Sequence, residues 1–378
     1  MKIVWLIPLT VDGAFQFTSK NEMARGLAEQ GHEMETVVAY RKEKIPLDGF
    51  SHVEYVHTPP SSVAARVRFH WRMFSAALAT DAEAVMFGSQ VCHLLPFLRL
   101  FALFRGRRPR YVLDIRTIPV DLDHGWRSKR EVWRYNAAIR LADRFCDGMT
   151  VITPMLGDTV RPHLKHIRGE LGVWTSGVCL EHFEPEGGSM RLELGLDNKR
   201  VLLYHGTLSP NRGLQDAIRA VASLKDRYPD LVFLIVGDGK GKAELEALAS
   251  DMAISERVIF TGKVPYADVP KYVRTADVAI LPFPDIVWWR VSSPIKLMEY
   301  LAMGIPIVAT DIPAHRWVSD QTGGVELAID SLPENLAVAI ANLIEKGSAP
   351  VARPMLEEII SWKRQARSLV RYIEKLAI

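Results

Sequence analysis

The sequence predicts an α/β chain of two domains, each a parallel sheet covered by helices on both faces. Three observations carry this. At 378 residues the chain exceeds what one hydrophobic core usually serves. Apolar β-branched runs alternate with helical periodicity from end to end. That alternation breaks once, at EPEGGSMRLELGLDNK (184–199), a stretch rich in Gly and charge without a clear period, which reads as a linker. With 48% apolar residues the chain can bury both cores.

The first domain, 1–183, opens on the strand KIVWLIPL, followed by the loop TVDGAFQF and a helix from Ser19 to Gln30. Gly31 suits the position just past the end of that helix, and a second strand runs from Met34 to Ala39. Later strands are AVMFG, RYVLDI, GMTVIT and GVWTSG. The second domain, 200–353, has strands RVLLYHG, LVFLIVGDG, RVIFTG, VAILPF and IPIVAT, with amphipathic helices such as LQDAIRAVASLKDRY between them. Residues 354–378 read as terminal helices.

Lys and Arg total 47 against 44 Asp and Glu, a balance that does not point to nucleic acid. The basic residues are unevenly placed. Arg66, Arg68, Arg72, Arg99, Arg105, Arg107, Arg108 and Arg110 fall between 61 and 110, with only Asp81 and Glu83 opposing them. Together with the apolar letters of 64–74 and 95–110 they fit peripheral contact with an anionic membrane. Buried helix faces with an arginine-rich rim explain the same letters. Three dispersed cysteines argue against a disulfide framework or zinc site and for a reducing, cytoplasmic setting. The N-terminus reads as a strand, not a signal peptide, and no apolar run is long enough to span a bilayer.

SSPIKLMEYLAMGIPIVAT specifies a helix start, a helix stop and a strand. Ser293 suits the N-cap, Pro294 the first helical position, and Gly304 the end. Lys296 then falls in the first turn, where its charge opposes the helix dipole by about 0.3–1 kcal/mol unless an anion is near. Free amides at a helix N-terminus beside a Lys make a diphosphate site, and Glu299, one turn on, can accept from two ribose hydroxyls. A solvated Lys296–Glu299 pair is the plain alternative.

This stretch resembles the donor motif of the retaining GT-B glycosyltransferases, E-x(7)-E followed by A-x-A/M-x-G-x-P. Glu299 matches the second glutamate, which in that family holds the ribose, while Val291 stands at the first and Pro294 at a loop glycine. YHGTLSPNRGLQDAIRAV resembles the family's GR-x(4)-KG segment, whose basic residues clamp the diphosphate. Arg212 matches the Lys, Thr207 stands where an Arg is usual, and Lys296 is the candidate substitute. LVFLIVGDGKGKAELEALA and RVIFTGKVPYADVPKYVRTADVAILPF resemble the base-binding half-site, with Gly237, Asp238 and Gly239 at a strand end and Lys263 and Val264 where backbone meets the nucleobase. TSGVCLEHFEP resembles the segment NGVD-x-x-x-F, with Cys179 in place of the Asp.

The resemblance implies two Rossmann-like domains facing a central cleft, with the N-terminal one (1–183) binding the acceptor, the C-terminal one (200–353) holding a UDP- or GDP-sugar, and the helices of 354–378 crossing back onto the N-terminal domain. It implies retaining, metal-independent transfer to a glycan, lipid-linked or small-molecule acceptor, without a resident cofactor. Arg212 and Lys296 are the expected catalytic cations. Arg116, at the strand end where the family often carries a His, and Asp114 join them, although Asp114 reads equally as a structural partner of Arg116. Expected donor contacts are Glu299, Gly13, Ala14, His205, Gly206, Thr207, Gly237, Asp238, Gly239, Lys263, Val264, Ser292, Ser293, Pro294 and Ile295. Trp288 and Trp289 read either as stacking faces for a ring or as loop packing. A nucleotide-sugar epimerase and a non-catalytic sugar-nucleotide-binding subunit are the rival readings; a dehydrogenase is disfavoured because no G-x-G-x-x-G follows the first strand.

Overall fold

The computed structural model describes residues 1–11, 18–60, 62–79, 81–119 and 125–376. The chain divides into two compact units: Met1–Gly177 with the segment from Trp362 onward, and Val178–Ser361.

The first unit is built on a seven-stranded sheet of β1 (Lys2–Thr10), β2 (Glu33–Tyr40), β3 (His52–His57), β4 (Ala84–Phe87), β5 (Arg110–Ile115), β6 (Gly148–Val151) and β7 (Gly172–Val173). Its order is β3-β2-β1-β4-β5-β6-β7 and every pairing is parallel. The second unit holds β8 (Arg200–His205), β9 (Leu231–Val236), β10 (Val258–Gly262), β11 (Val278–Leu281), β12 (Ile307–Thr310) and β13 (Val325–Ala328), in the order β10-β9-β8-β11-β12-β13, again all parallel. Both sheets therefore reverse strand order once, between β1 and β4 and between β8 and β11. That reversal is the switch point at which doubly wound sheets hold ligands, beyond the strands' carboxyl ends.

The strands legible as apolar runs are the central ones. All six positions of β9 and all four of β12 are buried, as expected for a parallel sheet covered on both faces. Two edge strands, β3 (HVEYVH) and β13 (VELA), escape sequence reading because each is partly exposed and carries charged or polar letters in place of a continuous apolar run.

The helix Trp362–Lys375 belongs to the first unit, where it packs on the helix Thr18–Ala28. Their close approach passes at Gly26, where a Cβ would lie 3.1 Å from the Trp362 carbonyl oxygen. The preceding helix, Arg353–Ile360, belongs to the second unit, so the division falls at Trp362 and not at 354. The segment 184–199 likewise lies inside the second unit, tied down by Arg274, which donates to the Glu184 and Gly188 carbonyls.

Candidate functional site

In the second unit the loops leaving β8 and β11 lie at the switch point and press together. Gly213 ends the β8 loop at φ +71°, where a Cβ would come within 1.8 Å of the Pro282 carbonyl oxygen in the β11 loop. The β9 loop closes from the other side: Gly237, at φ +142°, would place a Cβ 2.0 Å from the Gly206 carbonyl oxygen. The Leu208 amide donates to the Asp238 carbonyl at 3.0 Å, and the Gly239 amide to the Asp238 carboxylate at 2.7 Å. Glycine is needed wherever two backbones approach this closely. Gly206, Thr207, Gly237, Asp238 and Gly239, named from sequence, are thus brought together.

The helix carrying Lys296 starts one residue later than its letters suggest. It spans Ile295–Ala302, and Pro294, at ψ 116°, is still extended and occupies the N-cap position. Proline offers no capping side chain, and none caps the helix, so its first amides lack that competitor for an anion. Ser293 is buried, and Ser292 turns back to donate to the Trp289 carbonyl at 2.9 Å. Gly304, at φ +66°, follows the helix as expected.

Lys296 and Arg212 converge on one aromatic wall. The Lys296 ammonium lies 5.3 Å from the Tyr204 ring centroid and 5.5 Å from that of Phe283, and its tip covers Gly206, where a Cβ would meet Nζ at 3.1 Å. The Arg212 guanidinium stands 5.1 Å from Phe283 and 4.5 Å from Trp289. Trp289 is itself fixed: it packs 4.4 Å from Phe283, stacks on Trp288, and donates from Nε1 to the Asn211 carbonyl at 2.7 Å. The tryptophan cluster therefore packs the loop that carries Arg212. Burial, and then the neighbouring Arg212 charge, push the Lys296 ammonium down to about 7, against a smaller pull upward from Glu299. Two cations are held side by side with too little negative charge between them, an arrangement that an anionic ligand stabilises.

Glu299 is buried and does not form the solvated pair with Lys296. One carboxylate oxygen lies 3.0 Å from His205 Nε2, and the other accepts from the Tyr266 hydroxyl at 3.3 Å. A carboxylate offers about four acceptor positions, so capacity for ligand hydroxyls remains. His205 is placed by the Tyr300 hydroxyl, which accepts from its backbone amide at 3.0 Å. Tyr266 brings the loop after β10 to the site. On that loop Lys263 is exposed and Val264 packs against the core of the second unit. The sequence reading missed Tyr204, Tyr266 and Phe283, because their partners lie far away in the chain and no local spacing marks them. Val291 is a buried apolar side chain ending the turn Val287–Arg290.

The remaining named residues belong to the first unit. Asp114 is buried at the end of β5, where its carboxylate accepts from Thr150 Oγ1 at 2.8 Å; burial raises its pKa. Arg116 donates to the Trp174 carbonyl at 2.6 Å with its guanidinium 3.4 Å from that ring's centroid, and burial pushes it down to about 10. Asp114 helps keep Arg116 charged and is spoken for by Thr150, which favours the structural reading. Gly13 and Ala14 lie outside the described residues.

Comparison with known proteins agrees with this topology. Residues 199–346 match the family described as Glycosyl transferases group 1. An alpha-D-kanosaminyltransferase of Streptomyces kanamyceticus is 27% identical over 165 residues, 43% of this chain and 41% of that protein. A GDP-mannose-dependent alpha-(1-6)-phosphatidylinositol monomannoside mannosyltransferase of Mycolicibacterium smegmatis is 32% identical over 142 residues, 35% and 36% of the two chains. The matched stretches thus span about two fifths of these curated relatives. The crystal structure of Anabaena HepE with UDP and glucose superposes over 100% of both chains with a TM-score of 0.73 at 17% identity. The whole chain has the GT-B fold of two Rossmann-like domains, and its residues 199–346 resemble the group 1 glycosyl transferases.

Proposed function

We propose that this protein is a glycosyltransferase that moves a sugar from a UDP- or GDP-sugar to an acceptor hydroxyl, with retention and without a metal ion. The observation that carries the reading is the Lys296–Arg212 pair at the uncapped start of the helix Ile295–Ala302. The names of the relatives, a kanosaminyltransferase and a GDP-mannose-dependent mannosyltransferase, support the donor class.

On this reading the diphosphate rests against the amides of Ile295 and Lys296, with both cations on its oxygens. As the bond from anomeric carbon to phosphate oxygen breaks, charge grows on the leaving diphosphate and the two cations stabilise it. A diphosphate oxygen accepts the proton of the incoming hydroxyl on the same face, so the protein supplies positioning and charge, not a nucleophile. Glu299 holds the ribose.

Binding should be linked to protonation. Empty, Lys296 titrates near 7; a bound diphosphate raises that value. Below pH 7 the ammonium is present already and affinity is at its highest. Above it, affinity falls as pH rises, and binding takes up a proton. Calorimetric titration with UDP and GDP at about pH 8.5, in buffers of different ionisation enthalpy, should show uptake of about one proton, absent in Lys296→Arg. Failure of both nucleotides to bind would contradict the donor assignment.

The proposed working place is the cytoplasmic face of a membrane. Among the described residues no helix is long and apolar enough to cross one. On the helix Val63–Ala79, Val63, Val67 and Trp71 form an exposed stripe, and on Leu95–Phe104, Phe97, Leu100, Phe101, Leu103 and Phe104 are exposed, Phe104 to 80%. The buried-face explanation leaves these side chains over. Segments 63–79 and 95–110 hold arginines and no acidic residue, which fits an anionic surface. Co-sedimentation should be marked with vesicles containing phosphatidylglycerol and weak with phosphatidylcholine alone; equal binding to both would remove the electrostatic part of this proposal.

A further inference from the structure

The first unit carries a basic pocket at the edge of its sheet where the strands begin. Arg110 is the first residue of β5, and Asp147 directly precedes β6; both line it. The helix Leu95–Phe104 and the turn after it, with Gly106 at φ +64°, close the remaining sides. All strands of a parallel sheet start on one edge, so this pocket lies opposite the carboxyl edge where such sheets hold their substrates. Its volume is about 230 Å³, below the roughly 300–1,000 Å³ of sites for drug-sized ligands. That space suits a single phosphate ester and not a nucleotide.

The lining sets Arg99, Arg107, Arg108 and Arg110 against one acid, Asp147. Asp147 is already used on both oxygens: one pairs with the Arg99 guanidinium, and the other accepts from the Tyr111 amide at 2.7 Å. Lys2, and to a smaller extent Arg107, hold the Asp81 carboxyl below its ordinary range, so part of the Arg107 charge is met outside the pocket. Arg108 and Arg110 have no carboxylate partner among the described residues. Nor are these side chains needed at the helix end, because the last carbonyls of Leu95–Phe104 accept from the backbone amides of Arg105, Gly106 and Arg107.

Two of the arginines are set in place beforehand. Arg99 donates from Nε to the Phe145 carbonyl at 2.8 Å, and its guanidinium stands 4.9 Å from the Tyr111 ring centroid. Arg110 donates from Nε to the Leu376 carbonyl at 3.1 Å. Each keeps terminal N–H groups to spare, and a guanidinium already fixed loses little freedom on meeting phosphate oxygens, whose geometry its fork matches. Leu103 on the lining and Phe104 beside it are exposed, which gives the pocket an apolar lip. Such a lip suits the carbon side of an ester and offers nothing to inorganic phosphate.

We propose that this pocket is a binding site for a phosphate ester, with the phosphate among the arginines and the carbon side against Leu103 and Phe104. A soluble ester and a lipid headgroup both present that chemistry. The site does not depend on the transferase reading, and it differs from a diffuse attraction to an anionic membrane in requiring particular arginines.

Calorimetric titration of the full chain with sn-glycerol 3-phosphate tests the soluble source, with glycerol as the uncharged control. Co-sedimentation with phosphatidylcholine vesicles containing phosphatidylglycerol tests the lipid source. Arg108→Gln removes a cation that has no carboxylate partner among the described residues, and Leu103→Glu brings a carboxylate to an exposed position on the lining. Arg68→Gln, exposed on the helix Val63–Ala79 and outside the pocket, is the control for general charge. Unchanged melting temperatures show that the variants are folded. Saturable binding of glycerol 3-phosphate, weakened about threefold to tenfold in Arg108→Gln, lost in Leu103→Glu and unchanged in Arg68→Gln, assigns a soluble ester. The same ranking on vesicles, with no binding of glycerol 3-phosphate, assigns a lipid headgroup. The proposal is overturned if neither ester binds, if glycerol binds as well as its phosphate, if Arg108→Gln and Leu103→Glu leave binding unchanged, or if Arg68→Gln weakens it as much as Arg108→Gln.

Discussion

Lys296→Ala and Arg212→Ala should each lower turnover by about 10²–10³-fold, the range seen when one preorganised donor to a developing oxyanion is removed. Both cations touch the same aromatic wall around Phe283 and both face the same proposed charge, so the double variant should lose less than the product of the single losses. Stability should move the other way for the lysine. Its ammonium is held near 7 in the folded protein against an ordinary value of 10.5, so at neutral pH the fold disfavours its charge. Lys296→Met, which keeps the volume and removes the charge, should raise the melting temperature while lowering turnover by the same factor as Lys296→Ala. Single-turnover rates and thermal unfolding on the same preparations check both halves. A folded Lys296→Ala protein with a normal rate would remove this account of the leaving group.

Gly213→Ala should destabilise the second unit by about 3 kcal/mol or more. Two causes add. At φ +71° an L-residue is disfavoured by about 1–2 kcal/mol. The new Cβ would also lie 1.8 Å from the Pro282 carbonyl oxygen, and a backbone oxygen cannot rotate away as a side chain can. The loops after β8 and β11 would have to part, carrying Arg212 away from Phe283 and Trp289. Gly262→Ala is the control, because Gly262 has φ +72° but open space where its Cβ would go. It should cost only the conformational part, about 1–2 kcal/mol. Denaturant titration of the two variants separates the terms, and equal losses would show that the close approach is unimportant.

Much of this was legible in the letters, for identifiable reasons. Central strands such as LVFLIV are buried on both faces, so their composition alone marks them, whereas HVEYVH and VELA are edges, only partly buried, whose apolar letters are interrupted by charged or polar ones. The helix bearing Lys296 and Glu299 could be placed from Pro294 and Gly304, because start and stop signals are local. The single-residue shift at its start came from the extended ψ of Pro294, which composition does not encode. What sequence could not supply was long-range. Glu299 meets His205 and Tyr266, and Lys296 lies over Gly206, only because parallel strands bring distant loops to one sheet edge.

The central claim is that the donor's phosphates occupy the start of the helix Ile295–Ala302. A crystal structure with bound UDP-glucose or GDP-mannose tests it most directly. Phosphate oxygens within about 3 Å of Lys296 Nζ, the Arg212 guanidinium and the Ile295 amide, with ribose hydroxyls on Glu299, are the predicted result. A well-ordered nucleotide whose phosphates contact neither cation would contradict the account.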